Sequence, residues 1–375
     1  MYADIIIKNG RCVTMCGDGG ADWVAAAGKM ICAAGRGDDW QKLVRPGTQV
    51  IDARGGTVLP GFIDNHFHVM QTAVNMMSVD LGGARSHREL GEMLAAAEKR
   101  EGAVLGCQVE ESQFEEKRFP DRYVLDRYCS DSPVVLFSKE YHVSMLNTHA
   151  LLYYKVPFSL EGVELDSSGL PTGIFRRNAN YVLRSNVLRS LPDEFRMEAI
   201  HLAMSRLLEN GITTVAAIEG GWLFDDRDAE FIYAHSGEFP VDMPLFYQTM
   251  DLAKVWKLGL RRVGGNIMVD GTLSSHSAAL SAPYADRPDY RGQIFLPQDG
   301  LDEFVQQCYR QDMQLALYSI GDRAIESVLL AHERAIRQGG STALRHRIEH
   351  ALMAPPEQIA RAADMQRIFS VQPGY

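Results

Sequence analysis

The order of strand-like and helix-like segments predicts an α/β fold built on a parallel sheet. From residue 212 onward, short apolar runs alternate with amphipathic helical stretches, a pattern typical of a parallel sheet covered by helices. The length of 375 residues suffices for one large α/β barrel with an appendage. A (β/α)8 barrel has eight strands, and this chain offers seven. The seven runs are VLPGFIDNHFH (58–68), ITTVAAIE (212–219), MPLFYQTM (243–250), NIMVDG (266–271), QLALYSIG (314–321), RHRIEHA (345–351) and RIFSVQPG (367–374).

The segments before and between these strands predict two further parts. Residues 1–57 contain short β-like runs with Gly-containing turns, which predicts a small β domain ahead of a barrel at 58–375. An insertion at about 71–210 separates the first two barrel strands, and its run PVVLFSKEYH (133–142) is typical of a buried strand. A helix is predicted within LPDEFRMEAIHLAMSRLLENG (191–211). Its apolar stripe consists of Ile200, Ala203, Met204, Leu207 and Leu208.

Composition and charge exclude several classes of protein. The chain is 46% hydrophobic and 23% charged, which is ordinary for a globular protein, and its net charge is −10 without a basic cluster. This argues against a nucleic-acid surface, because phosphate contacts need concentrated Lys and Arg. The start MYADIIIKNG lacks the apolar core of a secretory signal, and no apolar run approaches the ~20 residues of a membrane span. Six scattered cysteines without a CxxC pair indicate reduced thiols in a cytoplasmic protein.

Two histidines one residue apart form the first candidate site. His66 and His68 follow the apolar run of the first barrel strand. Side chains at i and i+2 of a strand point to the same face, so both imidazoles would converge on one spot. Two neutral imidazoles at that spacing can bind one divalent metal ion. An isolated pair of this kind also occurs on surfaces or in hydrogen bonds, and this stretch alone leaves both interpretations open.

Several motifs in a fixed order resemble one known family. ADIIIKNGRCVTM, VLPGFIDNHFH and GITTV are followed by VDGTLSSHSAALSAPYAD, SIGDRAI, RHRIEHA and SVQPG. In this order they resemble the amidohydrolase superfamily, and within it the YtcJ-like branch known as Amidohydro_3. The resemblance covers essentially all 375 residues, and PGFID-x-H-x-H is a specific signature.

The resemblance implies a fold and a chemistry. The fold is a distorted TIM (β/α)8-type barrel, with strand eight absent from this chain, plus a small β-sandwich that the family builds from both chain ends. The chemistry is metal-dependent hydrolysis of a non-peptide, amide-type C–N bond of a small-molecule substrate by a metal-activated water. The family's catalytic aspartate lies at the end of strand eight, so its counterpart is unassigned here. The chain is therefore expected to be part of a longer protein, with homo-oligomer formation left open.

Residue by residue, the resemblance predicts one zinc-type ion held by His66, His68 and His350 of RHRIEHA. Two positions depart from the family pattern. Tyr318 stands where the family has a histidine, and a phenol with a pKa near 10 is a poor ligand at neutral pH. Asn266 stands where the family often has a lysine that bridges two metals, so two-metal catalysis is not expected.

Further polar residues are candidates for the pocket or for contacts behind the ligands. Asp270 could offer a carboxylate or shape a turn with Gly271, and His142 could line the pocket or serve the structure. Glu219 and Glu349 are the nearby acids. Strand alternation predicts that Glu349 points away from His350, which makes it a weak candidate base.

Three functions remain open from the sequence. The first is a metal-dependent hydrolase. The second is a catalytically inactive or incomplete amidohydrolase fold that acts as a binding module, which the departures at Asn266 and Tyr318 favour. The third is an assembly partner. A barrel of seven strands leaves a seam between its first and seventh strands, where unpaired backbone groups need partners, and a half-built sandwich would expose an apolar face.

Overall fold

The computed structural model describes residues 2–16, 20–97, 99, 102–221 and 224–373. The chain divides into two compact units, Met1–Phe62 and Ile63–Tyr375. Gly374 of the predicted last strand run lies outside the described residues. No helix in the described residues is long and apolar enough to cross a membrane.

The first unit is a small β domain. Its main sheet has the strand order β4-β3-β1-β5, in which β1 is antiparallel to β3 and parallel to β5. A second sheet pairs β2 with β6, and one 3-10 helix spans Asp39–Leu43. One face of the main sheet buries Ile6, Trp23 and Ala25. The strands are β1 (Ile5–Lys8), β2 (Arg11–Cys12), β3 (Trp23–Ala27), β4 (Met30–Gly35), β5 (Gln49–Asp52) and β6 (Thr57–Val58).

The strands that follow are β7 (Phe62–Phe67), β8 (Val79–Asp80), β9 (Val104–Val109), β10 (Val134–Ser138), β11 (Val143–Leu146), β12 (Val163–Leu165), β13 (Pro171–Arg176), β14 (Ile212–Glu219), β15 (Leu245–Tyr247), β16 (Arg262–Met268), β17 (Gln314–Ser319), β18 (Arg347–His350) and β19 (Ile368–Ser370). The α-helices are α1 (Val69–Met77), α2 (His87–Ala95), α3 (Arg122–Asp126), α4 (Thr148–Tyr154), α5 (Arg177–Ser190), α6 (Asp193–Glu209), α7 (Asp226–His235), α8 (Leu252–Lys257), α9 (Gln298–Arg310), α10 (Asp322–Arg337) and α11 (Pro356–Asp364). Short 3-10 helices span Glu111–Gln113 and Thr342–Leu344.

The barrel is a sheet of seven strands in the order β7-β14-β15-β16-β17-β18-β19 within the described residues. The five ladders from β14 to β19 are parallel, as the alternation of strands and helices predicted. The predicted fold class, a distorted TIM-type barrel with an N-terminal β domain, is confirmed. Inside the barrel, Ala216, Ile218, Phe246 and Ala316 form a small apolar cluster.

Side chains link the two outer strands of this sheet. Ser370 at the end of β19 donates a hydrogen bond to Oδ1 of Asn65 on β7, at 3.1 Å. Arg347 of β18 donates to the carbonyl of Asn65 and to Oγ of Ser370. The barrel is thus nearly closed, with side-chain contacts across its seam. Ile63 on β7 is 68% exposed and Ile368 on β19 is 38% exposed, so apolar side chains lie open along this seam.

The insertion folds into a sheet of its own. Its six strands have the order β8-β9-β10-β11-β13-β12 among the described residues, and β10 lies within the predicted run 133–142. Helix α6 confirms the predicted helix, and most of its apolar stripe is buried. Leu208 is the exception at 41% exposed, because it lies at the edge of the stripe rather than at its centre.

Candidate metal centre and adjoining cavity

Three histidines meet at the carboxyl ends of the barrel strands. His66 lies in β7, His68 follows that strand directly, and His350 is the last residue of β18. The ring centroids of His66 and His68 are 5.2 Å apart, and those of His66 and His350 are 4.8 Å apart. Imidazoles that share one tetrahedral ion at the usual metal–nitrogen distance have centroids about 5 Å apart. Both separations from His66 are therefore those of imidazoles that share one ion.

Each of the three rings is oriented by a hydrogen bond at its Nδ1 atom. An acceptor at Nδ1 fixes the proton on that nitrogen and leaves the lone pair of the neutral ring on Nε2, which is the arrangement that metal-ligating histidines adopt. The pairs are His66 with Oε2 of Glu349 (2.6 Å), His68 with the carbonyl of Ile218 (3.0 Å) and His350 with Oε1 of Gln372 (2.6 Å).

Burial keeps two of these imidazoles neutral. It lowers the pKa of His68 to about 3, and the nearby His66 adds to the shift. Burial likewise lowers the pKa of His350 to about 4, with a further contribution from His66. Both rings are uncharged near pH 7, as ligation of a cation requires.

The donor set fits a divalent cation in ring type, tautomer and separation. In the described part of the chain, however, no group of three or more His, Cys, Asp or Glu side chains forms a complete metal-binding arrangement. The two observations are compatible, because the separation of ring centroids does not fix the direction in which each Nε2 atom points. An ion would have to draw the three nitrogens of His66, His68 and His350 toward itself.

Glu349 lies against the histidines, which corrects the prediction that it points away from His350. The backbone of His350 has a φ of 71°, so the regular alternation of β18 ends at that residue. Glu349 is fully buried and contacts both His66 and Arg347. Burial raises the pKa of Glu349, but the hydrogen bonds from His66 and Arg347 outweigh it and the net shift is downward. An ionised carboxylate therefore orients His66.

Glu219 holds the helix that follows His68. Its Oε1 accepts hydrogen bonds from the backbone N–H groups of Val69 and Met70, the first residues of α1. The side chain is fully buried, and burial raises its pKa well above the usual value. Its Oε2 has no hydrogen-bond partner in the described residues. Glu219 thus fixes the start of α1 through one carboxylate oxygen.

Asp270 shapes a turn, the second of the two roles that the sequence left open. Its carboxylate accepts hydrogen bonds from the backbone N–H groups of Ala279 (2.8 Å), Ile320 (2.9 Å) and Gly321 (2.8 Å). Burial raises its pKa to about 6. The carboxylate therefore ties together the loops that follow β16 and β17.

Tyr318 packs against the histidine cluster. Its ring centroid lies 4.6 Å from that of His350 in an edge-to-face arrangement, and the residue is only 6% exposed. The phenol occupies the position at which the family pattern has a histidine, so it fills space beside His350.

A cavity of about 1460 Å³ lies in the second unit. Asn266 and His142 line it, and burial lowers the pKa of His142. Gln248, directly after β15, lines it as well and is only 3% exposed. Both polar atoms of its side-chain amide lack a hydrogen-bond partner within the described ranges. Sequence reasoning missed Gln248, although a polar residue at the end of the apolar run MPLFYQTM was a usable signal.

Comparison with known proteins agrees with this geometry. The model of the amidohydrolase family Amidohydro_3 matches residues 49–375. The chain belongs to this family. It is 27% identical to the "Putative amidohydrolase YtcJ" of Bacillus subtilis (strain 168), over 89% of the chain and 66% of that protein. The predicted YtcJ-like resemblance is confirmed.

Other relatives of this amidohydrolase are equally distant. Protein LONG AFTER FAR-RED 3 of Arabidopsis thaliana is 26% identical over 100% of the chain and 69% of its own length. The N-substituted formamide deformylase of Arthrobacter pascens is 26% identical over 94% and 70%. An uncharacterized metal-dependent hydrolase from Pyrococcus furiosus has a TM-score of 0.80 at 25% identity, over 98% of this chain and 77% of that one. The chain thus spans about two thirds of these curated relatives, and the family supports a metal-dependent hydrolase.

Proposed function

We propose that this amidohydrolase cleaves a non-peptide, amide-type C–N bond and that one divalent cation, zinc in the first instance, is held by His66, His68 and His350. The observation that supports this is the cluster of three imidazoles, each with its Nδ1 atom bound to an acceptor. A cation bound there would activate a water molecule for attack on the substrate carbon.

The chain's own residues orient this site. Glu349 holds the His66 ring through Nδ1, and the carbonyl of Ile218 holds His68. Acceptors behind a ligating histidine fix its tautomer and raise its basicity. Because Glu349 also contacts Arg347 inside the barrel, the orientation of His66 is linked to the interior packing of the sheet.

The cavity supports an amide as substrate. Gln248 offers one N–H donor and one carbonyl acceptor there, and neither has a partner in the described chain. A substrate amide has the complementary acceptor and donor, and a buried polar group without a partner is costly unless a ligand satisfies it. The deformylase of Arthrobacter pascens makes N-formyl amides a suitable first class of substrate to test.

The proposal is tested by metal content and turnover together. The full chain, purified and supplied with Zn²⁺, is expected to bind one ion per chain and to hydrolyse simple N-formyl or N-acetyl amides. Glu349→Gln should lower metal affinity or turnover by about 10–100-fold because it loosens His66, and His66→Ala should lower them further. His201→Ala, a change at an exposed histidine on α6, is the matched control and should behave as the wild type.

The second candidate function is a binding or assembly module that holds no metal ion. The departures from the family pattern at Asn266 and Tyr318 favour a binding or assembly module without catalysis. A folded chain that takes up no ion from Zn²⁺, Co²⁺ or Mn²⁺ and turns over none of the amides would support that alternative and end the hydrolase proposal.

A further inference from the structure

Arg184 is a buried cation that has no acidic partner within the described ranges of the chain. It lies in α5, is 7% exposed, and donates from Nη2 to Oε1 of Gln71 at 2.9 Å. Its Nε has no hydrogen-bond partner in the described chain. Among the described residues that shift its pKa there is no carboxylate, only the uncharged phenols of Tyr141 and Tyr181. Its charge therefore has no carboxylate to balance it.

Other buried arginines of the chain are satisfied within the fold. Arg196 pairs with Asp228, and Arg347 pairs with Glu349. Arg367 has no acid either, but its guanidinium donates to the hydroxyl of Tyr309 and to two backbone carbonyls. Arg184 differs because one of its donors is buried and unused.

Two aromatic rings flank Arg184 and offset only part of the free-energy cost of burying its charge. The guanidinium carbon lies 5.5 Å from the ring centroid of Tyr141 and 5.3 Å from that of Phe224. Such contacts attract a cation, but they are weaker than the loss of hydration that a buried charge suffers. Burial lowers the pKa of Arg184 to about 10, so the group stays charged at neutral pH.

Arg184 has neighbours on its helix that line the cavity and a ring contact that leads to the histidine cluster. Tyr181 and Ser185 of α5 line the cavity, whereas Arg184 itself lies behind them and is not among the lining residues. On the other side, the ring of Phe224 that contacts Arg184 also lies 4.8 Å from the ring of His68. One aromatic ring therefore separates the guanidinium from a candidate metal ligand.

Tyr141 supplies a second unused donor beside Arg184. Its hydroxyl is buried and has no hydrogen-bond partner in the part of the chain that the structure describes. The next residue, His142, lines the cavity. A guanidinium and a phenol hydroxyl, both short of an acceptor, match a group that carries one negative charge and two acceptor oxygens.

We propose that Arg184 and the hydroxyl of Tyr141 bind a carboxylate of the substrate, so that the molecule cleaved at the histidine cluster carries an acid group away from its amide bond. The assignment of a scissile amide rests on the proposed function, whereas carboxylate binding at Arg184 does not. A carboxylate suits the site better than phosphate, because a single guanidinium balances one charge and not two.

The test compares two ligands of the same shape that differ in charge. Phenylacetate and the neutral phenylacetamide are titrated calorimetrically into the full chain, with inorganic phosphate as a third probe. The titrations are run in the His66→Ala background with chelator, which removes binding to a metal ion. The chain should bind phenylacetate more tightly than phenylacetamide or phosphate.

Variants identify the residues responsible. Arg184→Met should weaken phenylacetate binding by about tenfold or more and change phenylacetamide binding by less than about twofold. Tyr141→Phe should weaken phenylacetate binding by about three- to tenfold. It should not lower the melting temperature, since the hydroxyl has no hydrogen-bond partner among the residues that the structure describes. Arg206→Met is the matched control and should have less than about a twofold effect, because Arg206 is 63% exposed on α6, pairs with Glu209 and is not among the residues that line the cavity.

Three outcomes would overturn the proposal. They are equal binding of phenylacetate and phenylacetamide, tighter binding of phosphate than of phenylacetate, and unchanged phenylacetate binding in Tyr141→Phe. The Tyr141 variant keeps the test decisive if Arg184→Met does not fold. Loss of amide turnover with intact phenylacetate preference would instead reject the proposed function and leave this inference standing.

Discussion

Arg196 and Arg184 show two ways in which one chain buries a guanidinium. Arg196, in α6, is fully buried, pairs with Asp228 and donates to the carbonyls of Leu188 and Leu191. Arg184, in the preceding helix, has one amide partner, two aromatic rings and an unused Nε. A charge that serves the fold is balanced inside the fold. The unbalanced charge of Arg184 indicates that its partner is a bound ligand rather than a residue of the fold.

The largest expected effect separates these two arginines. Arg196→Met should lower the free energy of unfolding by roughly 3–5 kcal/mol, because it leaves Asp228 buried without its partner. Arg184→Met should cost about 1–2 kcal/mol, since it leaves no buried acid behind and removes only the donor to Oε1 of Gln71. Urea unfolding of both variants measures the difference. Equal losses would show that Arg184 supports the fold as Arg196 does.

Buried histidines that stay neutral in the folded chain are expected to lower its stability in acid. His332 and His346 are buried beside Tyr309, and Arg367 repels a charge on either ring. Burial lowers the pKa of His346 to about 3 and that of His332 well below its usual value. The unfolded chain takes up protons near pH 6.5 while the folded chain does not, so stability should fall as the pH drops from 6.5 toward 3.

The size of this effect follows from the same linkage. At pH 5.5 each of the two histidines should cost on the order of 1 kcal/mol relative to neutral pH. Unfolding by urea at pH 7.5 and 5.5 measures the loss, which should shrink in His332→Leu. His201→Leu, at an exposed position, is the control and should keep the wild-type pH dependence. An unchanged dependence in His332→Leu would contradict the assignment.

Asp270 is a buried carboxylate whose hydrogen bonds come from backbone N–H groups. It tests whether a buried charge that is satisfied inside the fold stabilises the protein. Asp270→Asn puts an NH2 group in place of one carboxylate oxygen, either Oδ2, which accepts from Ala279 and Gly321, or Oδ1, which accepts from Ile320. At least one buried N–H group then loses its acceptor, and the free energy of unfolding should fall by about 1–3 kcal/mol. Asp166 also accepts backbone N–H bonds but is only partly buried, so Asp166→Asn should cost clearly less. Thermal unfolding of the two variants compares them, and equal losses would reject the role of burial.

The smallest expected change in stability concerns an exposed ion pair on α6. Arg206 and Glu209 on α6 form an ion pair at 2.7 Å and are 63% and 59% exposed. Arg206→Met should change the free energy of unfolding by less than about 1 kcal/mol, since water already solvates both charges. A larger loss in urea unfolding would show that the exposed fraction of an arginine side chain does not predict its contribution to the stability of this protein.

The sequence predicts those parts of the fold that local patterns determine. Seven strand-like runs and the spacing of His66 and His68 depend on side-chain period, which the chain shows directly. The contact of Glu349 with His66 could not be predicted, because it joins residues 283 positions apart in the sequence. The isolation of Arg184 depends on which acids the folded chain brings near it, and that information lies in long-range packing rather than in any motif.

The seam of the barrel links the stability of the sheet to the candidate metal centre. Within the described residues, side chains of Asn65, Arg347 and Ser370 connect β7 to β18 and β19. His66 belongs to one side of this gap and His350 to the other. Any widening of the gap would move His66 away from His350. A cation bound by both residues would therefore hold the barrel closed. Uptake of the ion and closure of the cylinder would then strengthen each other by mass action.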